Sequence, residues 1–203
     1  MFRIRSFTSY ILVAAGAVLL FLGAREYLES RFGQSEVARD FEETPAPPPG
    51  SPSNPSPAPF LPQPGDPVAK LIIPRLSAEL YVVEGDGPAE LRRGPGHVQQ
   101  TVMPGGMGNC VIAGHRDTHF RILKDIRKGD DIVLETRTGE YLYRVRNMRV
   151  ISPTNLAPLK PTADAQLNLI TCYPFYYVGS APRRFVVEAQ LAGAVSPQKA
   201  PKT

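Results

Sequence analysis

Three polar residues stand where apolar, strand-like runs begin or end, and their types fit cysteine catalysis. Cys172 closes one apolar run, His115 follows a second run, and Arg184 precedes a third. A cysteine nucleophile needs a base or cation nearby, because only a few per cent of a thiol with a pKa of about 8.5 is ionised at pH 7. A guanidinium can donate hydrogen bonds to the oxygen that becomes negative when a thiolate attacks an amide. These are the residue types that an acyl-transfer site with Cys172 as nucleophile would use.

Each of these residues also has a plainer interpretation. A cysteine beside an apolar run is commonly a buried core residue, a lone histidine is often structural, and an arginine at a strand start is usually solvated. His97, in a turn rich in Gly and Pro, and His119, at the start of a helix-like run, compete with His115. Arg183 similarly competes with Arg184. Position along the chain leaves these alternatives open.

The elements that must position these residues follow from the pattern after Val68, where short apolar runs are broken by Gly, Pro, Asp and Asn. Seven or eight such runs are typical of a sandwich or barrel. The predicted strands are Ala69–Ile73, Glu79–Glu84, Cys110–Ala113, Asp131–Glu135, Glu140–Val150, Gln166–Thr171 and Arg184–Gln190. Residues 88–93 and 119–127 are the predicted short helices. In Glu140–Arg146, Tyr141, Tyr143 and Val145 alternate with the other residues, which predicts one buried and one solvated face, and the preceding Thr138 and Gly139 suit a hairpin turn. The sequence therefore predicts a mainly β domain.

The N-terminal region has a different character. Ser6–Ala24 comprises 19 uncharged, mostly apolar positions, enough for a helix to cross a hydrocarbon core of ~30 Å. We expect a retained transmembrane helix, and a cleaved signal peptide is the alternative because small residues end the run. Arg3 and Arg5 favour a cytoplasmic N-terminus. The remainder of the chain is then predicted to lie outside the cytoplasm.

This division gives four expected regions. Residues 1–25 are the cytoplasmic tip and anchor, 26–66 a polar stalk and Pro-rich linker, 67–192 the catalytic domain, and 193–203 a disordered tail. Proline occupies 11 of the 23 positions from 45 to 67. Such a segment cannot complete helix hydrogen bonds and is predicted to be a semi-rigid spacer. A ligand for a proline-binding domain is the alternative.

Charge and cysteine content exclude several classes of protein. The 23 Lys and Arg against 19 Asp and Glu give +4, of which four arginines against two glutamates put +2 in the first 34 residues. The remaining +2 is too small to indicate nucleic-acid binding. Two cysteines are too few for a disulfide scaffold and lack the spacing of a zinc site. Cys110 lies about 16 Å along a strand from His115, so we expect a small core residue rather than a disulfide with Cys172.

Three segments together resemble the sortase family, most closely its class D. They are GHRDTHF at 114–120, TCYPF at 171–175 and APRRFVV at 181–187. The resemblance covers about Pro67 to Leu191 and includes the plan of an N-terminal anchor and Pro-rich stalk. It implies an eight-stranded sortase β-barrel with short helices.

The resemblance also implies an activity and roles. His115, Cys172 and Arg184 match the family's catalytic residues, with Arg184 preferred to Arg183 because apolar strand residues follow it directly. The implied enzyme is a cysteine transpeptidase of the hydrolase class that cleaves a C-terminal LPxTG-like sorting motif after its threonine. The acyl group is held as a thioester and passed to an amine of the cell envelope or of another protein. No metal or organic cofactor is implied, and the catalytic domain of the single-pass protein lies outside the cytoplasmic membrane.

Several points remain open in the sequence. Tyr173, Phe175 and Tyr176 either line a peptide groove or cap the barrel. Asp117 and Thr118 either orient the histidine loop through side-chain to backbone hydrogen bonds or are ordinary turn residues. A thiol peptidase in which water resolves the thioester is the rival enzyme. A tethered β-barrel binding module with an inert cysteine is the rival from another class.

Overall fold

A computed structural model describes residues 2–43, 62–177 and 179–195. Eight strands in these residues form a closed barrel in which neighbours follow the order β1-β2-β3-β4-β7-β8-β6-β5. The strands are β1 (Pro67–Ile73), β2 (Ala78–Glu84), β3 (Gly96–His97), β4 (Asn109–Gly114), β5 (Asp131–Thr136), β6 (Gly139–Ile151), β7 (Gln166–Tyr173) and β8 (Arg183–Val195). The helices are α1 (Phe2–Glu43), α2 (Pro88–Arg93) and the 3-10 turns Pro74–Leu76, His119–Asp125 and Ala157–Leu159. The predicted eight-stranded barrel with short helices is confirmed.

Strand direction within the barrel is mixed. The pairs β2–β3 and β4–β7 are parallel, and the others are antiparallel. The parallel pair β4–β7 joins segments more than fifty residues apart in sequence and puts their C-terminal ends at one rim of the barrel. The sequence did not predict β3, because two residues in a turn rich in Gly and Pro have no periodicity to detect.

The hairpin of β5 and β6 forms as its sequence indicates. Thr136 Oγ1 accepts hydrogen bonds from the backbone N–H groups of Thr138 and Gly139 at 3.1 and 3.2 Å, which closes the turn. In β6, Tyr143 and Val145 are buried while the neighbouring arginines at 144 and 146 are exposed. The alternation with period two therefore places one face of β6 in the core, as predicted.

The core lies inside the barrel and is built from inward-facing residues of most of its strands. Its fully buried aliphatic side chains include Leu71, Ile112, Leu134 and Leu169. Burying apolar surface stabilises the fold by roughly 25 cal/mol per Å². Cys110 belongs to this cluster with 1% of its surface exposed, and burial raises the pKa of its thiol. The prediction that Cys110 is a core residue is confirmed.

The N-terminal helix α1 continues without interruption from Phe2 to Glu43, beyond the end of the apolar run. A search of the described residues finds no helix that combines the length and the apolarity needed to span a membrane. The C-terminal part of α1 packs on the barrel. The amide of Gln34 donates to the carbonyls of Tyr81 and Arg93 at 2.9 and 2.8 Å and accepts from Tyr81 N at 2.8 Å. Val37 is fully buried in this contact.

This docking changes the expected role of residues 26–43. They are not a free polar stalk at their C-terminal end, because α1 reaches the barrel before the Pro-rich segment begins. Residues 44–61, most of the predicted linker, lie outside the described residues, and β1 starts at Pro67. At the other end β8 continues to Val195, so the first three residues of the predicted tail belong to a strand. Residues 196–203 lie outside the described range.

Candidate active site

The register of β7 and β8 decides which arginine accompanies Cys172. Cys172 is directly opposite Arg184, and Tyr173 is opposite Arg183. Directly opposed residues of an antiparallel pair project to the same face, whereas successive residues project to opposite faces. Arg184 therefore shares the face of Cys172. Arg183 points to the other face and is exposed.

The parallel register of β4 and β7 brings His115 to the same rim. Gly114 at the end of β4 pairs with Thr171, so the next residues along both strands, His115 just after β4 and Cys172 within β7, lie at the same level. The hydroxyl of Thr171 donates to the carbonyl of Gly114 at 2.7 Å. This buried bond joins the two strand ends immediately before the two candidate catalytic residues.

Gly114 is required by the close approach of an aromatic ring. A Cβ atom at this position would lie 2.7 Å from the ring of Phe120, which is fully buried in the core. The backbone N–H of Phe120 donates to the carbonyl of His115 at 2.9 Å. The glycine thus lets the 3-10 turn fold back over the strand end and shape the loop that carries His115.

The three candidate catalytic residues surround one cavity of about 320 Å³. Cys172 and Arg184 are half-buried, while His115 is exposed. The cavity is lined by His115, Arg116, Asp117, Cys172, Gly179, Ser180, Ala181 and Arg184. The arrangement joins a thiol, an imidazole and a guanidinium in one open cleft, which is what nucleophilic attack on a peptide carbonyl requires.

Arg184 keeps part of its guanidinium available to the cavity. Its Nη1 donates to the carbonyls of Arg183 and Ala181 at 3.1 and 3.4 Å. A guanidinium has five N–H donors. In the described residues no hydrogen bond engages Nε or Nη2 of Arg184, so these donors can serve a substrate oxygen.

The two competing histidines lie elsewhere. His97 is 1% exposed, with Nδ1 2.8 Å from the Glu84 carboxylate and Nε2 3.1 Å from the carbonyl of Val102. His119 is also buried and lines a separate cavity of about 570 Å³ between α1, β2 and the 3-10 turn. Of the three histidines, only His115 lines the cavity with Cys172.

The aromatic residues after Cys172 do not line this cavity. Tyr173 stacks on Phe185 with ring centroids 6.3 Å apart, and Phe175 meets Phe185 edge-on at 5.4 Å. These contacts fit the alternative in which the cluster caps the barrel. Tyr176 is exposed, and its hydroxyl accepts a hydrogen bond from Lys124 at 3.1 Å. A role for Tyr173, Phe175 or Tyr176 in substrate binding stays a prediction.

Of the two alternatives for Asp117 and Thr118, the structure favours ordinary turn residues. In the described part of the chain, neither side chain makes a hydrogen bond to the loop backbone. The Thr118 hydroxyl instead lies 3.4 Å from the side-chain Nδ1 of His119. Backbone hydrogen bonds shape the loop instead, from Phe120 to His115 and from Arg121 N to the carbonyl of Thr118 at 3.3 Å. Asp117 nevertheless lines the cavity.

Sequence reasoning assigned no role to Arg116, which also lines the cavity. It is 8% exposed, and its Nη2 donates to the carbonyls of Tyr177 and Gly179 at 2.6 and 3.0 Å. An arginine next to a histidine in a polar loop has the composition of a solvated surface, so no local signal announces its burial. Across the described residues, no group of three or more His, Cys, Asp or Glu side chains is placed to hold a metal ion.

Comparison with known proteins identifies one family. The Sortase domain family matches residues 71–192. The chain is similar to sortase D of Bacillus subtilis, with 37% identity over 132 residues that cover 64% of this chain and 66% of that protein. It is also similar to sortase SrtE1 of Streptomyces coelicolor, with 34% identity over 131 residues, 55% of this chain and 37% of that protein. The chain thus spans less than two thirds of the length of these relatives.

Solved structures show the same likeness. The catalytic domain of Bacillus anthracis SrtD has a TM-score of 0.59 and 33% identity, covering 72% of this chain and 99% of that chain. A Clostridium perfringens sortase D5 transpeptidase has a TM-score of 0.62 over 81% of this chain and 99% of that chain. At 23% identity the second comparison concerns the fold alone.

Proposed function

Because this chain belongs to the sortase family, we propose that it is a cysteine transpeptidase in which Cys172 is the nucleophile, His115 the proton partner and Arg184 the oxyanion stabiliser. One observation carries the proposal. The registers of β4, β7 and β8 bring these three side chains around a single cavity although they are remote in sequence.

The geometry supports a two-step acyl transfer. His115 takes the thiol proton of Cys172 as the sulfur attacks a peptide carbonyl, and it gives this proton to the departing amine when the carbon–nitrogen bond breaks. The acyl group remains on sulfur as a thioester. A second amine then attacks the thioester, His115 takes its proton, and a new amide leaves with the thiol restored. The free N–H groups of Arg184 stabilise the oxygen that is negative in both steps.

The substrate and the location are part of the same proposal. The family likeness supports a C-terminal LPxTG-like sorting motif as acyl donor and an amine of the cell envelope or another protein as acceptor. The apolar run of α1 supports a membrane anchor, since its large side chains are exposed, with Leu12 at 73%, Leu20 at 77% and Phe21 at 70%. Exposed apolar side chains of this density suit a lipid environment.

Product analysis tests the activity. A peptide carrying the sorting motif is incubated with the purified protein, with and without a glycine peptide or hydroxylamine, and the products are identified by mass spectrometry. We expect the amine-linked product to form only with the amine. A hydrolysed peptide that is unchanged by added amine would make the protein a thiol peptidase.

Cysteine variants provide the matched control. Cys172→Ala is expected to abolish product, whereas Cys110→Ala, in the core, is expected to retain the reaction because Cys110 does not reach the cavity. Iodoacetamide should label position 172 in the wild-type protein and leave Cys110 unmodified in the folded state. Absence of labelling at position 172 would favour a binding module with an inert cysteine.

A further inference from the structure

Arg116 connects the loop of the candidate histidine to the connection between β7 and β8. Its Nη2 donates to the carbonyls of Tyr177 and Gly179, and its guanidinium lies 5.7 Å from the centre of the Tyr177 ring. The side chain is 8% exposed. One buried cation therefore holds two backbone groups of a segment more than sixty residues away.

The segment that Arg116 holds forms one wall of the cavity. Gly179, Ser180 and Ala181 line the cavity together with His115 and Cys172. Among the described residues, the hydrogen bonds to the backbone of 174–182 from outside that segment come from Arg116 and Arg184. The conformation of the wall thus depends on few contacts, and Arg116 supplies two of them.

The surroundings of Arg116 indicate that this side chain does more than stabilise the fold. No carboxylate of the described residues forms an ion pair with it, and its Nη1 is buried without a hydrogen-bond partner. A buried cation without an opposite charge is costly, and buried donors are usually paired. Groups that break this rule are concentrated at functional sites.

We propose that Arg116 is a positioning residue that orders the cavity wall of Gly179, Ser180 and Ala181 so that this wall can receive the backbone of the acyl substrate. This inference rests on the proposed function. Without the two hydrogen bonds from Arg116, the segment would become ordered only when the substrate binds. The conformational entropy lost in that step would weaken substrate binding. The three catalytic candidates are set by the strand ends of β4, β7 and β8, so the chemical step would be largely retained.

The proposal is tested with Arg116→Gln and Arg116→Lys, and with Arg92→Gln as the control for loss of a charge. Arg92 is exposed on α2 and does not line the cavity. We expect Arg116→Gln to raise KM for the sorting peptide about tenfold while kcat changes less than about threefold. Arg116→Lys keeps the charge but lacks the planar fork, so its KM should rise less. Arg92→Gln should match the wild-type protein.

Hydrogen exchange gives a readout that does not depend on activity. In Arg116→Gln, amides of residues 175–181 should exchange at least about tenfold faster, while amides of the core strands keep their protection. Unchanged exchange in this segment would overturn the proposal whatever the kinetics. A fall in kcat with unchanged KM would also overturn it, because Arg116 would then act in the chemical step.

The two proposals fail in distinguishable ways. A wild-type protein without amine-dependent transfer would refute the proposed function, and the exchange experiment would still decide whether Arg116 orders the wall. If Arg116→Gln does not fold, Arg116→Lys decides the outcome through the same two measurements, with faster exchange at 175–181 supporting the proposal and unchanged exchange overturning it.

Discussion

Replacing Arg184 with methionine tests the role of the guanidinium group, because methionine keeps a long side chain without it. Arg184→Met retains an unbranched side chain in β8 but removes every N–H donor opposite Cys172. Directly opposed residues have Cβ atoms about 4.5–5.5 Å apart, so a guanidinium at this position can reach an oxygen on the carbon that sulfur attacks. The substitution therefore removes donors at the point where negative charge develops.

The expected fall in kcat follows from the hydrogen bonds that the Arg184 guanidinium makes in the protein and from the donors that it leaves free. Only Nη1 is used locally in the described structure, in bonds of 3.1 and 3.4 Å to backbone carbonyls. The remaining donors are available to the substrate oxygen, and loss of one such donor typically costs about 10²–10³ in kcat, or about 2.7–4 kcal/mol. We expect kcat for Arg184→Met to fall in this range, with KM changed less than about fivefold because the oxygen is uncharged in the ground state.

The measurement is steady-state cleavage of a fluorescence-quenched sorting peptide with the amine in excess. Arg183→Met is the matched control, since Arg183 is the neighbouring residue, is exposed and points to the other face of the sheet. It should retain kcat within about threefold, and iodoacetamide should still label position 172 in both variants. Loss of kcat in Arg183→Met with retention in Arg184→Met would refute the assignment from strand register.

Two further predictions concern stability. Arg75 forms a bidentate ion pair with Asp130, with Nε 2.6 Å from Oδ1 and Nη2 2.7 Å from Oδ2. This pair lowers the pKa of the Asp130 carboxyl. The stabilisation is therefore present above the pKa of the unfolded chain, about 3.9, and is lost as the pH falls through the lower folded value. We expect Asp130→Asn to lower Tm by about 2–5 °C at pH 7, and thermal melts should show this difference shrinking below pH 4. A difference that persists in acid would contradict the ionic origin. Gln34→Ala removes three hydrogen bonds between α1 and the barrel. It should speed hydrogen exchange in residues 33–42 while the barrel strands keep their protection, and the exposed Arg39→Ala should leave both unchanged.

The sequence predicted seven of the eight strands because their signals are local. Alternation in β6 and the Thr138–Gly139 turn can be detected within a few residues, and they fold as predicted. The missing strand β3 has two residues, Gly96 and His97, and exists only because β2 and β4 lie on either side of it. Its pairing partners are not encoded in the segment itself.

The docking of α1 on the barrel is likewise not encoded in a local sequence pattern. The charged and helix-favouring residues after the apolar run predicted a stalk, and the helix does continue. Its contact with the barrel depends on Gln34 reaching the backbone of Tyr81 and on the burial of Val37. Gly33, Val37 and Phe41 face the barrel at a spacing of four residues, but only two of them are apolar side chains, and such a short apolar pattern in a polar helix did not indicate a packed face.

The sequence by itself determined the residue types and their places at strand ends, because these follow from local hydrophobic pattern and from the chemistry that a thiol, an imidazole and a guanidinium can perform. The tertiary structure decided which of two adjacent arginines shares a face with Cys172, and which of three histidines lines the same cavity. It also decided that Arg116 is buried against a distant loop. These outcomes depend on the register between strands remote in sequence. A shift of one residue would exchange the two faces of β8, and only packing of the whole barrel excludes it.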